Sequence, residues 1–146
     1  MTLSKAVETF DHLSLQDLAR RFFERLACEV RESVSVKGNC NFYEFDFLLS
    51  RKSTAEDSLT IGVVVKDWAR SCGINVIIDF EHVLKDMQST IQRGLLVTNQ
   101  VSSMARLLAQ KAGILLLSRG ELVSIFHMDP NTLQNQPHPT FASEPS

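Results

Sequence analysis

The chain reads as an α/β domain built on a mixed central sheet, and three observations carry that reading. Apolar residues recur at helical spacing in Leu15, Leu18, Phe22, Leu26 and Val30, in Val76, Phe80, Val83, Leu84 and Met87, and in Met104, Leu107 and Leu108. Between them lie short apolar runs of strand length, Ile61-Gly62-Val63-Val64-Val65, Leu95-Leu96-Val97-Thr98 and Ile114-Leu115-Leu116-Leu117. Strand-like and helix-like runs alternate in the second half, which implies crossovers and parallel pairing there. In the first half a polar connection joins two strand-like runs directly, which implies an antiparallel pair.

Each element follows in order. Met1–Leu13 is a mixed lead-in. Ser14 with Asp17 resembles a capping box with aspartate in the glutamate slot, and it opens an amphipathic helix expected over 15–30. The polar side of that helix carries Arg20, Arg21, Glu24 and Arg25, a solvated face or a phosphate-contacting patch. Ser33–Val36 reads as a short first strand closed by the turn-like Lys37-Gly38-Asn39. The second strand is expected over 42–49, a polar connection over 50–58, and the third strand over 60–66. A helix over 75–91 is expected to end at Arg93-Gly94, ahead of a buried strand over 95–98. A helix over 102–112, with Met104, Leu107 and Leu108 inward, stops at Gly113. The strand 114–117 and a last short helix over 120–126 complete the order.

Composition bounds the function without naming it. The 146 residues, 44% hydrophobic and 22% charged, suffice for one core, expected over 1–128. Residues 129–146 (DPNTLQNQPHPTFASEPS) carry four prolines and no lysine or arginine, the composition of a disordered tail. A formal net charge of −2 advertises no polyanion partner, so nucleic-acid binding would need a local basic patch. Three cysteines, Cys28, Cys40 and Cys72, show no C-x-x-C spacing and point to reduced thiols in a cytoplasmic protein. No apolar run reaches the ~18–20 residues of a membrane span, and the N-terminus lacks a signal-peptide profile. Nucleotide-binding glycine loops are missing, and Ser102 and Ser103 lack an indicated base.

The chemistry-bearing stretch is Phe42-Tyr43-Glu44-Phe45-Asp46-Phe47-Leu48-Leu49 together with Ile61–Trp68. Strand side chains alternate faces. Tyr43, Phe45, Phe47 and Leu49 are thus expected on one apolar face, with Phe42, Glu44, Asp46 and Leu48 on the other. Along the third strand Ile61, Val63 and Val65 share one face, and Gly62, Val64 and Lys66 the other. Pairing the apolar faces lets Glu44, Asp46 and Lys66 point into one space. Two carboxylates and a lysine there can hold a divalent metal and a phosphate. Gly62 marks close approach of another backbone or a packing need. Trp68 either stacks on a base or caps the sheet end.

An aspartate on one strand and a lysine ending the next resembles the pattern of the PD-(D/E)xK nucleases. With Lys66-Asp67-Trp68-Ala69-Arg70-Ser71-Cys72-Gly73 and Arg93-Gly94-Leu95-Leu96-Val97-Thr98-Asn99, the chain looks most like the Mrr-like branch of restriction endonucleases over roughly 15–126. That resemblance implies the restriction-endonuclease-like αβββαβα core and Mg²⁺-dependent cleavage of DNA. It further implies Asp46 as metal ligand and Lys66 as the cation that positions attacking water. A homodimer or a partner subunit would then supply recognition. Val64 departs from the pattern, standing where the family carries glutamate or glutamine. Three readings follow. Another acid has taken over, best Glu44, with Glu24, Glu29 and Glu81 further off; or catalysis is lost and a binding or assembly role is kept; or Asp46 and Lys66 form a salt bridge at the sheet's end.

Overall fold

A central sheet of five strands, in the order β1-β2-β3-β4-β5, is covered on both faces by helices. The computed structural model describes residues 13–51 and 59–128. The lead-in before Leu13, most of the connection after Arg51 and the proposed tail from Asp129 lie outside the described residues. The elements are α1 (Leu15–Glu24), β1 (Glu29–Lys37), β2 (Phe42–Arg51), β3 (Leu59–Lys66), α2 (Ile74–Asp86), β4 (Arg93–Thr98), α3 (Ser103–Ala112), β5 (Ile114–Ser118) and α4 (Arg119–Phe126). β1, β2 and β3 pair antiparallel, whereas β3, β4 and β5 pair parallel, which makes the sheet mixed as the sequence predicts.

Two apolar cores result, one on each face. Under α1 and α4 lie Phe47, Leu49, Val63, Leu95, Val97 and Leu117. Under α2 and α3 lie Phe45, Leu48, Leu96 and Ile114, with Ile77, Phe80, Ala105 and Ala109 above them. Alternation along β4 and β5 sends successive side chains to opposite cores, so both strands read as continuous apolar runs.

Several boundaries differ from the sequence reading, each for a local reason. Helix α1 ends at Glu24, with Arg25 as its C-cap, because the chain from Glu29 joins β2 along a long antiparallel ladder. Leu26 and Val30 continue the helical spacing but pack from a turn and a strand. Ser14 does cap α1, accepting the Asp17 N–H at 3.0 Å, while the Asp17 carboxylate turns to Arg20. Helix α2 stops at Asp86, and Arg93-Gly94 opens β4 instead of closing the helix. A Cβ on Gly94 would come 2.5 Å from Leu84 Cδ1 and 2.9 Å from Phe80 Cζ, so its bareness lets α2 lie close on the sheet. On α3 Ala105 and Ala109 are buried and Leu108 packs partly against the same core as expected, whereas Met104 and Leu107 are exposed. Gly113 ends α3 at φ 75°, the left-handed cap that glycine adopts without strain.

The expected common face of Tyr43, Phe45, Phe47 and Leu49 is broken. Phe47 and Leu49 pack in one core, Phe45 and Tyr43 in the other. The partner strand changes with them, Val30 on the first side and Val34 and Val36 on the second. Between the two halves the rung opposite Asp46 is missing from the ladder, and its partner Ser33 has φ 57°. The β1–β2 ribbon therefore rolls over at Ser33 and Asp46.

Candidate active site

The ladder between β2 and β3 runs from Arg51 and Leu59 to Phe47 and Val63 and stops there, while β3 stays paired with β4 as far as Lys66 and Thr98. β2 and β3 therefore part at the level of Asp46. The Asp46 carboxylate reaches across this gap, where Oδ2 accepts the Val65 N–H at 2.7 Å. One carboxylate is thus pinned beside the last residues of β3. Alternation from Gly62 on β3 puts Val64 and Lys66 toward the side of the sheet under α2 and α3, and the Val65 N–H holds the Asp46 carboxylate between them.

Glu44 is not in that company. It is exposed, pairs with Ser35, and alternates with Tyr43 and Phe45, which face the core under α2 and α3. The rollover at Asp46 separates Glu44 from Leu48, which strict alternation would put together. The expectation that Glu44 shares a face with Leu48 is corrected on that ground, and the hydrogen bond that holds Asp46 goes to Val65. Val64 is partly buried against the core under α2 and α3 and offers no donor. Gly62 is bare for packing, since a Cβ there would lie 2.7 Å from the Phe45 ring and 3.3 Å from Ile91 Cδ1.

Lys66 turns to Trp68. Its Nζ lies 5.2 Å from the centroid of the indole ring, and Arg70 Cζ lies 4.3 Å from the same centroid. Cations over an aromatic face are attracted by its quadrupole, so two positive charges are gathered at the C-terminal end of β3. The ion pairs of the described residues join Arg20 to Asp17 and Glu32, and Arg119 to Asp67. Asp46 and Lys66 are not among them, which leaves the simple salt-bridge reading without support. Arg20 is committed to tying α1 to β1 through Glu32, and Arg25 lies over the Phe126 ring at 4.4 Å. That accounts for both as packing groups.

Asp67 has a different task from Lys66. Its Oδ2 accepts the Leu15 N–H at 3.1 Å and its Oδ1 accepts Asn99 Nδ2 at 2.8 Å. The Asn99 amide holds the Asp67 carboxyl below the usual carboxylate range against the opposing effect of burial, helped by the Leu15 N–H and by Arg119. Asn99 also donates to the Trp68 carbonyl, and Arg119 Nε donates to Asn99 Oδ1, each at 2.8 Å. Arg119 further donates to the Leu13 carbonyl at 3.1 Å. This network locks the start of α1, the ends of β3 and β4, and the start of α4 around an open hollow. Trp68, Ala69, Asn99, Gln100, Arg119 and Val123 line it.

Asn99, Arg119 and Ser33 carry weight that sequence reasoning did not assign them. For the first two a signal existed, since parallel strands place ligands at their carboxyl ends, and Asn99 and Arg119 directly follow β4 and β5. Ser33 gave none, because a left-handed serine within a strand has no sequence signature.

A family model described as restriction endonuclease matches residues 7–126. No curated protein matches. Among solved structures, a crystal structure of a protein of unknown function, AF1548, superposes with a TM-score of 0.62 at 19% identity, covering 82% of this chain and 73% of that one. The apo form of EndoMS gives a TM-score of 0.48 at 16% identity, over 73% of this chain and 46% of that one. The MspJI restriction endonuclease, solved in complex with a 27-mer oligonucleotide, gives 0.46 at 15% identity, over 90% of this chain and 33% of that one. The chain thus spans less than half the length of the latter two. A family match over most of the chain, on a mixed sheet between two helical layers, leads to one conclusion: the chain belongs to the Mrr-like restriction endonuclease family.

Proposed function

We propose that the domain cleaves DNA phosphodiester bonds with a divalent metal that it shares with its substrate, using Asp46 and Lys66. The observation that carries the reading is the Asp46 carboxylate held by the Val65 N–H where β2 and β3 part, one residue before Lys66. The donor set fits a shared ion better than a resident one. Among the described residues no group of three or more His, Cys, Asp or Glu is placed to hold a metal. Magnesium is often held by one or two carboxylates, several waters and substrate phosphates. Asp46 supplies one carboxylate, and Val64 supplies nothing.

Bound there, such an ion would polarise a phosphoryl oxygen and make bound water more acidic. The protein's own groups have separate tasks. Asp46 would hold the ion and keep one oxygen fixed by the Val65 N–H, so its position costs no rearrangement during reaction. Lys66 and Arg70 would attract the phosphate backbone and balance the charge that develops on it. Trp68 offers a flat apolar surface to a sugar or base beside them. Asp67, Asn99 and Arg119 would act by holding the strand ends still.

The test is cleavage of plasmid DNA with Mg²⁺ or Mn²⁺. Asp46→Ala and Lys66→Ala should each lower the rate by about 10²-fold or more, and Glu44→Gln should change it little. Cleavage that survives Asp46→Ala would sink the assignment. A second reading has one observation in its favour. Val64 is packed with apolar neighbours, as befits a domain that binds DNA without cutting it. Under that reading wild type shows no cleavage, while Lys66→Ala and Arg70→Ala still weaken DNA binding.

A further inference from the structure

We propose that Ser33 is a positioning residue, whose left-handed backbone rolls the β1–β2 ribbon over and delivers the Asp46 carboxylate to the Val65 N–H. The proposal rests on the reading of Asp46 as the working carboxylate, but its first readout does not require activity. Among the described non-glycine residues, Ser33 alone has a positive φ, 57°. It stands opposite Asp46, and theirs is the rung missing from an otherwise uninterrupted register of β1 against β2. On either side of it both strands exchange cores, Val30, Phe47 and Leu49 lying under α1, and Val34, Val36, Tyr43 and Phe45 under α2 and α3. The Ser33 side chain is exposed, so packing does not explain the conformation.

The consequences run from backbone to site. A strand with unbroken alternation would keep Phe45 and Phe47 in one core and would hold the Asp46 backbone in the ladder. A residue in the left-handed region interrupts pairing at that rung and reverses which face the following side chains present. Freed from the ladder, Asp46 lies at the point where β2 leaves β3, and its carboxylate makes the hydrogen bond at 2.7 Å that a strand neighbour would otherwise supply. Strain at a rung beside a functional carboxylate is the kind that persists when the surrounding packing fixes it.

The experiment varies tolerance of the left-handed region at position 33 and reads the Asp46–Val65 contact by NMR. In wild type the Val65 amide should be protected from hydrogen exchange at a fixed neutral pH, and Asp46→Ala should abolish that protection. Ser33→Gly and Ser33→Asn tolerate positive φ and should retain both the protection and the cleavage rate. Ser33→Thr should weaken both, and Ser33→Val, β-branched and strongly averse to this region, should lose the protection and at least tenfold of kcat with little change in KM. Should Ser33→Val fail to fold, the order glycine and asparagine above threonine still decides the matter. A threonine or valine variant that folds with the Val65 protection and kcat intact would overturn the proposal. Failure of the nuclease reading would look different: no cleavage in any variant, with the graded protection still present.

Discussion

The two halves of the sheet obey different rules. From β3 to β5 the strands are parallel, covered on both faces, and strictly alternating between the two cores. From β1 to β2 the ribbon is antiparallel, and alternation fails once, at Ser33 and Asp46. The regular half supplies a rigid edge on which Lys66, Trp68 and Asn99 are presented. The irregular half carries Asp46, at the one place where the local rule is broken. A strand that never broke its alternation would deliver Glu44 and Leu48 to the same side, and Phe45 and Phe47 to the same core. The packing denies both.

The largest effects test that contrast through the cores. Phe47 is fully buried and meets Phe23 edge-on, with ring centroids 5.1 Å apart. Phe47→Ala should cost about 3–5 kcal/mol in urea melts. Because Phe45 and Phe47 pack in separate cores, the milder Phe45→Leu and Phe47→Leu should add to within about 0.5 kcal/mol in a double-mutant cycle. Coupling well above that would mean the two rings share a face and the ribbon does not roll.

On the regular half, Gly94→Val should cost about 1–3 kcal/mol by overpacking, since α2 lies directly above the missing side chain. Thermal unfolding measures it, and a neutral result would mean that α2 lies farther from β4 than described.

A smaller effect depends on pH. The folded-state Asp67 carboxyl is held below its ordinary range, chiefly by Asn99. Its contribution is therefore present above the unfolded-state value, about 3.9, and is lost as pH falls through the folded-state value. The stability gap between wild type and Asp67→Asn should be open at neutral pH, below about 1 kcal/mol because the carboxylate is half exposed. It should narrow as pH falls below that ordinary value, where urea titrations would show a constant gap if the network were not electrostatic.

How much of this was legible followed the same division. The regular half was readable because continuous apolar runs and helical spacing state their burial directly. Its errors were small: Gly94 looked like a helix stop because a bare residue beside a helix has the same spelling as a cap. In α3 the large residues Met104 and Leu107 suggested an inward face, whereas Ala105 and Ala109 allow the close packing that was actually used. Residue type and spacing single out Asp46 and Lys66 as candidates. The common face of Tyr43, Phe45, Phe47 and Leu49 fails because alternation does not carry through Asp46, and nothing in Ser33 announces a left-handed backbone. The hollow framed by Asn99 and Arg119 depends on three strand ends meeting, which only the fold brings about.

The central claim, that Asp46 and Lys66 stand in a nuclease cleft lacking one ligand, is tested most directly by restoring that ligand. Val64→Glu should tighten Mg²⁺ or Mn²⁺ binding in titration calorimetry and create or raise cleavage of plasmid DNA. Both gains should vanish when Asp46→Ala is added. The variant should lose stability without metal, because a carboxylate replaces a partly buried apolar group, and regain part of it when metal is added. A Val64→Glu protein that folds, binds no metal and cuts nothing would contradict the account.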